Sequence, residues 1–573
     1  LEAVDNANVD FRTVSSWYPR SDAWIFHFGD TLKVTPKLTI NYGVRWDMFR
    51  PSVEKWDRTS FFDLFGPNPA AGGRPGRLAF AGSGYGAASF GDRHPEETFH
   101  KGFAPRLGIA YSLSPKTVIR TGYGLFYAQA YYPGWGGGIN RDGFDTFASF
   151  SSSQGGLQPA FLLSQGFPQN FTRPPFIDGG ARNGQNVNYR PFDANRLPYS
   201  QQWNLTIEHE LQNRLVLSLA YVANKGTRVP SNVAHLNALD PRLLSMGNQL
   251  FDEFQPGQTE LHGVSIPYAG WREQMTGCAP SVAQALLPYP QFCDDLNGLN
   301  ENAGNSTYHS FQVKAEKRFS NGTFLLASYT LSKLLTTSDQ TNQGAEALNW
   351  SGASGVISPF ERQRNKALAV DDVPQVFSVA FVYDLPFGAG KRFASGSGVS
   401  NKILGGWQVS GTYRASSGLP FFFRSTQCNV PEQFRIGEQG CIPAIKPGAN
   451  PFAQDKDNFD VNKPLFNRDA FEPIESFNFY YGVGPRISNV RGFAYQNTDF
   501  AIFKNIGIGE SVRFQFRAEF FNLFNWHIFN TRGSGGSDSH TAFVNDLASP
   551  DFGMWNGNVS PPRNIQFGVR LEF

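Results

Sequence analysis

No run of about 20 consecutive apolar residues occurs anywhere in the 573-residue chain, which excludes transmembrane helices. Charge is scarce as well. Asp, Glu, Lys and Arg make up 17% of residues, against roughly 25% in a typical soluble protein. The net charge is only +2, so there is no electrostatic footprint for nucleic acid. The chain opens at Leu1 with neither a basic n-region nor an apolar h-region. Either a signal peptide has been removed or the start of the gene product lies upstream. No repeat of about 40–50 residues is visible, which argues against a propeller. HExxH, GxSxG, P-loop and dinucleotide fingerprints are all missing, so no catalytic residue, cofactor or metal site is expected. Asp538-Ser539-His540 are adjacent in sequence, which is not triad geometry. Asp455, Asp457 and Asp460 resemble a calcium loop but lack its Gly and terminal Glu, so a solvated acidic loop is the expectation.

Cysteine is rare too. Four occur, as Cys278 with Cys293 and Cys428 with Cys441, without CxxC spacing or a neighbouring His. Zinc is disfavoured. Two local disulfides in an oxidising compartment fit best, with four free thiols as the other reading.

Aromatics are abundant, at 15% with 54 Phe, yet the mean hydropathy is −0.35. The apolar surface must therefore be patterned. In "KLTINYGVRWDMF", Leu38, Ile40, Tyr42, Val44, Trp46 and Met48 alternate with Lys37, Thr39, Asn41, Gly43, Arg45 and Asp47. "SVRFQFRAEFF" sets Val512, Phe514, Phe516, Ala518 and Phe520 against Arg513, Gln515, Arg517 and Glu519. The same period of two runs through "FSVAFVYDLPFG", "GWQVSGTYR" and the terminal "RNIQFGVRLEF", where Phe567, Val569, Leu571 and Phe573 share a face. Successive side chains of a strand point to opposite faces, so each is a strand with one greasy and one wet side.

About thirteen such strands are expected, in pairs joined by short turns at Thr35-Pro36, Ser114-Pro115, Gln212-Asn213, Ser320-Asn321-Gly322 and Gly507 to Gly509. Pro presets φ, and Gly and Asn accept positive φ. A longer connection begins at Pro386. The alternate connections are long, over 50–102, 128–202, 224–308, 334–376, 415–497 and 522–563. Loops of that length are unusual in compact domains. Short turns at one end and long loops at the other, joined by strands of about ten residues, are the pattern of an antiparallel transmembrane outer-membrane β-barrel with long extracellular loops. The fold class is all-β. The inward charges Arg45, Asp47, Arg120, Glu316, Arg513, Arg517, Glu519 and Arg570 would line a wet lumen while the aromatic face meets lipid.

Six stretches carry a resemblance: "FAPRLGIAYSLSPKTVIRTGYGLFYA", "PYSQQWNLTIEHEL", "AYVANKGTRV", "NSTYHSFQVKAEKRFSNGTFLLASYTLSK", "GGWQVSGTYRASSGLPF" and "FRAEFFNLFNWHIFN". Together they resemble the barrel of Oar-like TonB-dependent receptors of the acidobacterial type, in the family's order along nearly the whole chain. The resemblance implies a bacterial outer-membrane location and a barrel of about 22 strands with a plugged lumen. It implies as partners outer-membrane lipid, the barrel-assembly machinery, TonB through an N-terminal region, and an external ligand, with no nucleic acid. Phe573, Leu571, Val569 and Phe567 look like the outer-membrane sorting signal. The family's signal peptide, N-terminal β-sandwich, plug and first strands have no counterpart in residues 1–573, so the chain reads as the C-terminal part of the barrel.

Recognition is expected in the loops. Tyr131, Tyr132, Trp135 and Phe144 among glycines, and Tyr480 and Tyr481, could stack on a ligand or pack the loops together. Two functions follow: a receptor importing a bound ligand with TonB-derived energy, or a surface structural or adhesion protein on a barrel anchor.

Overall fold

The alternating strands form and pair in sequence order. In the computed structural model, thirteen strands follow one another in one antiparallel sheet, which a fourteenth, the two-residue Ala367–Leu368, joins from the side. They are β1 Ala23–Thr35, β2 Leu38–Phe49, β3 Phe103–Ser114, β4 Thr117–Tyr127, β5 Tyr199–Glu210, β6 Leu215–Ser231, β7 Glu301–Ser320, β8 Thr323–Thr336, β9 Gln375–Asp384, β10 Trp407–Ser416, β11 Tyr495–Ile508, β12 Val512–Phe521 and β13 Asn564–Glu572. The structure describes residues 1–573 except 1, 14–16, 129–140, 155–156, 188, 191, 232–235, 294–295, 297–300, 321, 338–359, 394–397, 432–440, 475–483, 509–511 and 532–541.

The register keeps the faces apart from one edge to the other. Phe516 stands opposite Val569, and Gln515 opposite Arg570. A slip of one residue would interchange the faces of a strand, so the pattern enforces the register. The aromatic face is uncovered: Phe28, Phe311, Phe516 and Val569 are exposed, and Phe567 is 70% exposed. An apolar surface of this extent is stable only against a nonpolar medium. Among the described residues β1 pairs only with β2 and β13 only with β12, so the sheet is open at both edges.

Several strands run further than their alternation. β7 begins at Glu301 and β6 continues to Ser231, through polar "ENAGNST" and "KGTRVPS". Their ladder continues with two register shifts, Val229 opposite Gly304 and Ser231 opposite Glu301. Backbone pairing sustains a strand beyond the zone where side chains sort by face.

The apolar cores lie in the long connections. One packs Phe421, Phe423, Phe466, Phe471, Phe543 and Phe552 from the loops 417–494 and 522–563. Another gathers Phe62, Phe80, Phe144, Tyr189 and Phe292 from three earlier loops. A third joins Leu239, Leu250 and Leu287 to Cys428, Val430 and Cys441. The long loops thus pack into a folded body at the end of the sheet opposite the short turns.

Candidate functional site

The polar face of the sheet is a lattice of ion pairs. Arg45 Nε donates to Asp47 Oδ1 at 2.7 Å, and Arg120 Nε to Glu208 Oε2 at 3.1 Å on the neighbouring strand. Lys314 reaches Glu316 at 2.9 Å, and Arg570 reaches Glu572 at 3.1 Å. Gln566 donates to Glu519 across the β12–β13 ladder. Every charge picked out on this face is thus held on the polar side, most of them within reach of an opposite charge.

Within that face β1 to β5 floor an open hollow of about 700 Å³. It exists because Gly29, Gly43, Gly108, Gly122 and Gly124 all fall at polar-face positions, where other strands carry side chains. Gly29 faces Gly43, and Gly108 faces Gly122. The rim is polar, with His27, Arg45, Gln202 and Asn204. Thr31 Oγ1 donates to Asn41 Oδ1 at 2.7 Å, and the Arg106 guanidinium lies 4.5 Å over the Phe126 ring. Bare backbone with donors along its edge can seat an extended segment or a polar ligand, and no group in it is arranged for bond-making chemistry. Sequence reasoning missed this hollow. The glycines stand in plain view in "NYGVR", "RLGIA" and "TGYG", but only the register aligns them.

The loop aromatics separate into two groups. Phe144 is 5% exposed and packs edge-on to Phe80 at 5.5 Å and Tyr85 at 5.7 Å, so in this conformation it holds loops together. Tyr131, Tyr132, Trp135, Tyr480 and Tyr481 lie outside the described residues, as does Asp538-Ser539-His540. Other loop aromatics reach the surface, among them Tyr18 and Trp56, 5.1 Å apart, with Lys55 and Arg58 each 4.3 Å from the Trp56 ring. Asp455 and Asp460 serve as local caps, accepting from the backbone N–H of Asp457 and Asn462. No metal-holding group of three or more His, Cys, Asp and Glu occurs among the described residues.

The loop body is cross-braced by covalent and ionic ties. Cys278 and Cys293 have their sulfurs 2.05 Å apart, and Cys428 and Cys441 theirs 2.11 Å apart. The backbone N–H of Gly277 and of Cys293 donate to Gly184 and Gln185 at 2.7 and 3.1 Å, stitching the first bridge to the preceding long loop. Arg190 pairs with Glu96 in a fully buried contact between two loops. Arg486, also buried, donates to the carbonyls of Asn365 and Thr336. Arg491 binds the Asp372 carboxylate and the Gly418 carbonyl. Burial would push Glu54 up, but the Arg58 side chain and the N–H groups of Arg58, Trp56 and Tyr18 outweigh it and hold the carboxyl below its usual range. Asp142 goes the other way. Burial pushes it up to about 6 despite Arg182, whose Nε lies 3.6 Å away. Sequence reading gave no hint of the ties between loops, such as Arg190 with Glu96, because their partners are far apart in the chain.

Among solved structures, resemblances are remote. The ferric yersiniabactin uptake receptor of Yersinia pestis aligns at 9% identity and a TM-score of 0.38, over 99% of this chain and 47% of that one. The outer membrane transporter YddB of Escherichia coli aligns at 9% and 0.38, over 97% and 54%. The ferripyoverdine receptor of Pseudomonas aeruginosa aligns at 9% and 0.35, over 97% and 39%. The chain spans less than two thirds of the length of each of these structures. No relative is found among curated proteins. A family match is extensive: the outer membrane beta barrel domain covers residues 3–566. A sheet with a bare aromatic face, a paired polar face, short turns at one end and a folded loop body at the other is what such a domain requires in lipid, and this chain belongs to the outer membrane beta barrel domain family, in the bacterial outer membrane.

Proposed function

We propose that the chain is the wall and external loop body of a TonB-dependent receptor that captures an external ligand and imports it with TonB-derived energy. The observation that carries this reading is the combination of a cross-braced loop body at one end with a glycine-floored hollow on the lumen face. A rigid outer surface suits recognition, and a lumen wall stripped of side chains leaves room for a plug segment or a passing ligand. Further strands complete the cylinder, because unpaired strand edges within lipid would each leave backbone groups unsatisfied at several kcal/mol apiece. TonB would act through an N-terminal region and plug, and the Oar-like acidobacterial type is the family branch proposed. The terminal strand, with Phe567, Val569, Leu571 and Phe573 exposed, is the segment the barrel-assembly machinery would read.

The burial of Phe144 favours the second reading, a surface structural or adhesion protein whose loop aromatics serve cohesion. Uptake separates the two. Cells expressing the full gene should accumulate a ligand, and deleting the TonB-interacting segment should abolish accumulation while leaving surface binding intact. Adhesion unaffected by that deletion, with no accumulation in either strain, would leave the second reading standing.

A further inference from the structure

The connection between β9 and β10, residues 385–406, differs from every other link at its end of the sheet. Those links have two to four residues, and this one carries a short helix, Val399–Leu404. Its apolar side chains face outward: Phe387, Phe393, Val399, Ile403 and Leu404 are all exposed, with Val399 at 73% and Ile403 at 62%. They are held there by a folded scaffold. The Phe393 N–H donates to the Pro386 carbonyl at 2.9 Å and the Gly388 N–H to the Phe393 carbonyl at 3.0 Å. Asn401 Oδ1 accepts from the Ala389 N–H at 2.6 Å, and its carbonyl accepts from the Gly405 N–H at 2.8 Å.

The scaffold is fastened to the lipid-facing side of the wall. Lys504 stands on the aromatic face, in register between Trp407 and Phe516. Its Nζ lies 5.1 Å from the Trp407 ring and donates to the Ile403 carbonyl at 2.9 Å and to the Gly405 carbonyl. Trp407 Nε1 donates to the same Ile403 carbonyl at 2.9 Å. The exposed apolar side chains are therefore continuous with the surface that meets lipid. Lys391, Arg392 and Lys402 are interleaved with them; residues 385–406 contain no acidic residue, and the flanking Asp384 lies 3.8 Å from Lys391 Nζ, one carboxylate against three cations.

Apolar side chains beside cations at the edge of a hydrocarbon belt are the chemistry of an interfacial segment, in which long basic side chains reach back to headgroups. We propose that residues 385–393 and 398–406 form a membrane foot. Phe387, Phe393, Val399, Ile403 and Leu404 enter the headgroup–acyl boundary of the leaflet on the short-turn side, and Lys391, Arg392 and Lys402 bind anionic phospholipid headgroups there. This reading is independent of transport.

Spin labels at Val399→Cys and Ile403→Cys test it, because the four native cysteines are all bridged and leave a single added thiol to react. The full chain is placed in vesicles of phosphatidylethanolamine with phosphatidylglycerol, under conditions where a label at Phe567→Cys reads as lipid-exposed. Accessibility to oxygen and to a water-soluble nickel chelate gives the depth. Both labels should lie about 5–10 Å below the phosphates. In phosphatidylcholine vesicles they should lie shallower, and replacing Lys391, Arg392 and Lys402 together by Gln should erase the difference between the two lipids. Labels as open to nickel as one at Arg570→Cys on the polar face overturn the proposal. So do labels shielded from both reagents, which would place a protein against this face. A depth indifferent to lipid charge overturns the anionic-headgroup assignment.

Discussion

Gly29 and Gly43 face each other across the first two wall strands, so closely that a Cβ on Gly43 would lie 2.8 Å from the Phe28 carbonyl oxygen. On the next strand, a Cβ on Gly108 would meet nothing nearer than Asn41, at 3.8 Å. Both glycines floor the same hollow, yet only one is there for want of space. Gly43→Ala should therefore strain the β1–β2 ladder, at a cost of about 1–3 kcal/mol for overpacking. Gly108→Ala should be close to neutral. The folded fraction on heating in detergent, read as heat-modifiable gel mobility, separates the two variants. Equal behaviour would mean that the ladder relaxes freely.

Arg190 and Glu96 supply a second contrast, because both side chains are buried in the loop body. Removing one partner leaves a charge without its counter-ion, so Glu96→Ala should destabilise the loop body by about 3–5 kcal/mol. Replacing both residues with apolar side chains of similar volume should cost far less. Limited proteolysis of intact cells reads this directly. The single variant should be nicked in the loops at lower protease levels than the double variant.

The two bridges enclose sequence separations of 15 and 13 residues. Closing loops of that size is worth about 3 kcal/mol each in the chain-entropy model. Peptide mapping without reduction should find Cys278 joined to Cys293 and Cys428 to Cys441, and four alkylatable thiols would refute the pairing. Cys428→Ser with Cys441→Ser should loosen the core shared with Leu239 and Leu250, and so increase hydrogen exchange in two separate loops.

Asp142 makes loop stability depend on pH. Its folded pKa, about 6, lies above the ordinary 3.8, so between those values the folded state binds the extra proton. Stability therefore falls as pH rises through that window, and above it the buried carboxylate costs at most about 3 kcal/mol. Exchange protection around residues 141–146 should be higher at pH 5 than at pH 7. Asp142→Asn should raise protection at pH 7 and flatten the dependence. A wild-type profile that is flat from pH 4 to 7 would exclude this linkage.

The wall was legible in the sequence, and the loop body was not, for a physical reason. A strand with lipid on one side and water on the other must alternate, so "SVRFQFRAEFF" declares both its structure and its faces. Thirteen strands were expected from that alternation, and thirteen follow one another in the sheet. Strand ends were read short where the ladder continues through polar residues, as in β7. The loop cores carry no period. Phe421 meets Phe543 at 5.4 Å across more than a hundred residues, and nothing local to either position announces the other. The hollow is an intermediate case, since its glycines were visible but their alignment belongs to the register. The disulfides were legible because each partner is close in sequence.

Phe567 and Gln566 are adjacent on β13 and point to opposite faces, so the same substitution at each should have very different effects. Phe567 is exposed on the aromatic face, where an arginine would have to enter hydrocarbon. Near the middle of a bilayer that costs about 2–4 kcal/mol. Gln566 already lies among charges, beside Glu519, and an arginine there gains a partner. Phe567→Arg should lower the amount of folded protein in the outer membrane and its stability in lipid vesicles, and Gln566→Arg should leave both near wild type. Phe516→Arg on β12 should repeat the loss expected of Phe567→Arg, since Phe516 packs against Phe567 with ring centroids 6.1 Å apart. Equal tolerance of arginine on both faces would mean that the aromatic face meets water or protein rather than lipid, and would remove the physical basis for placing this sheet in a bilayer.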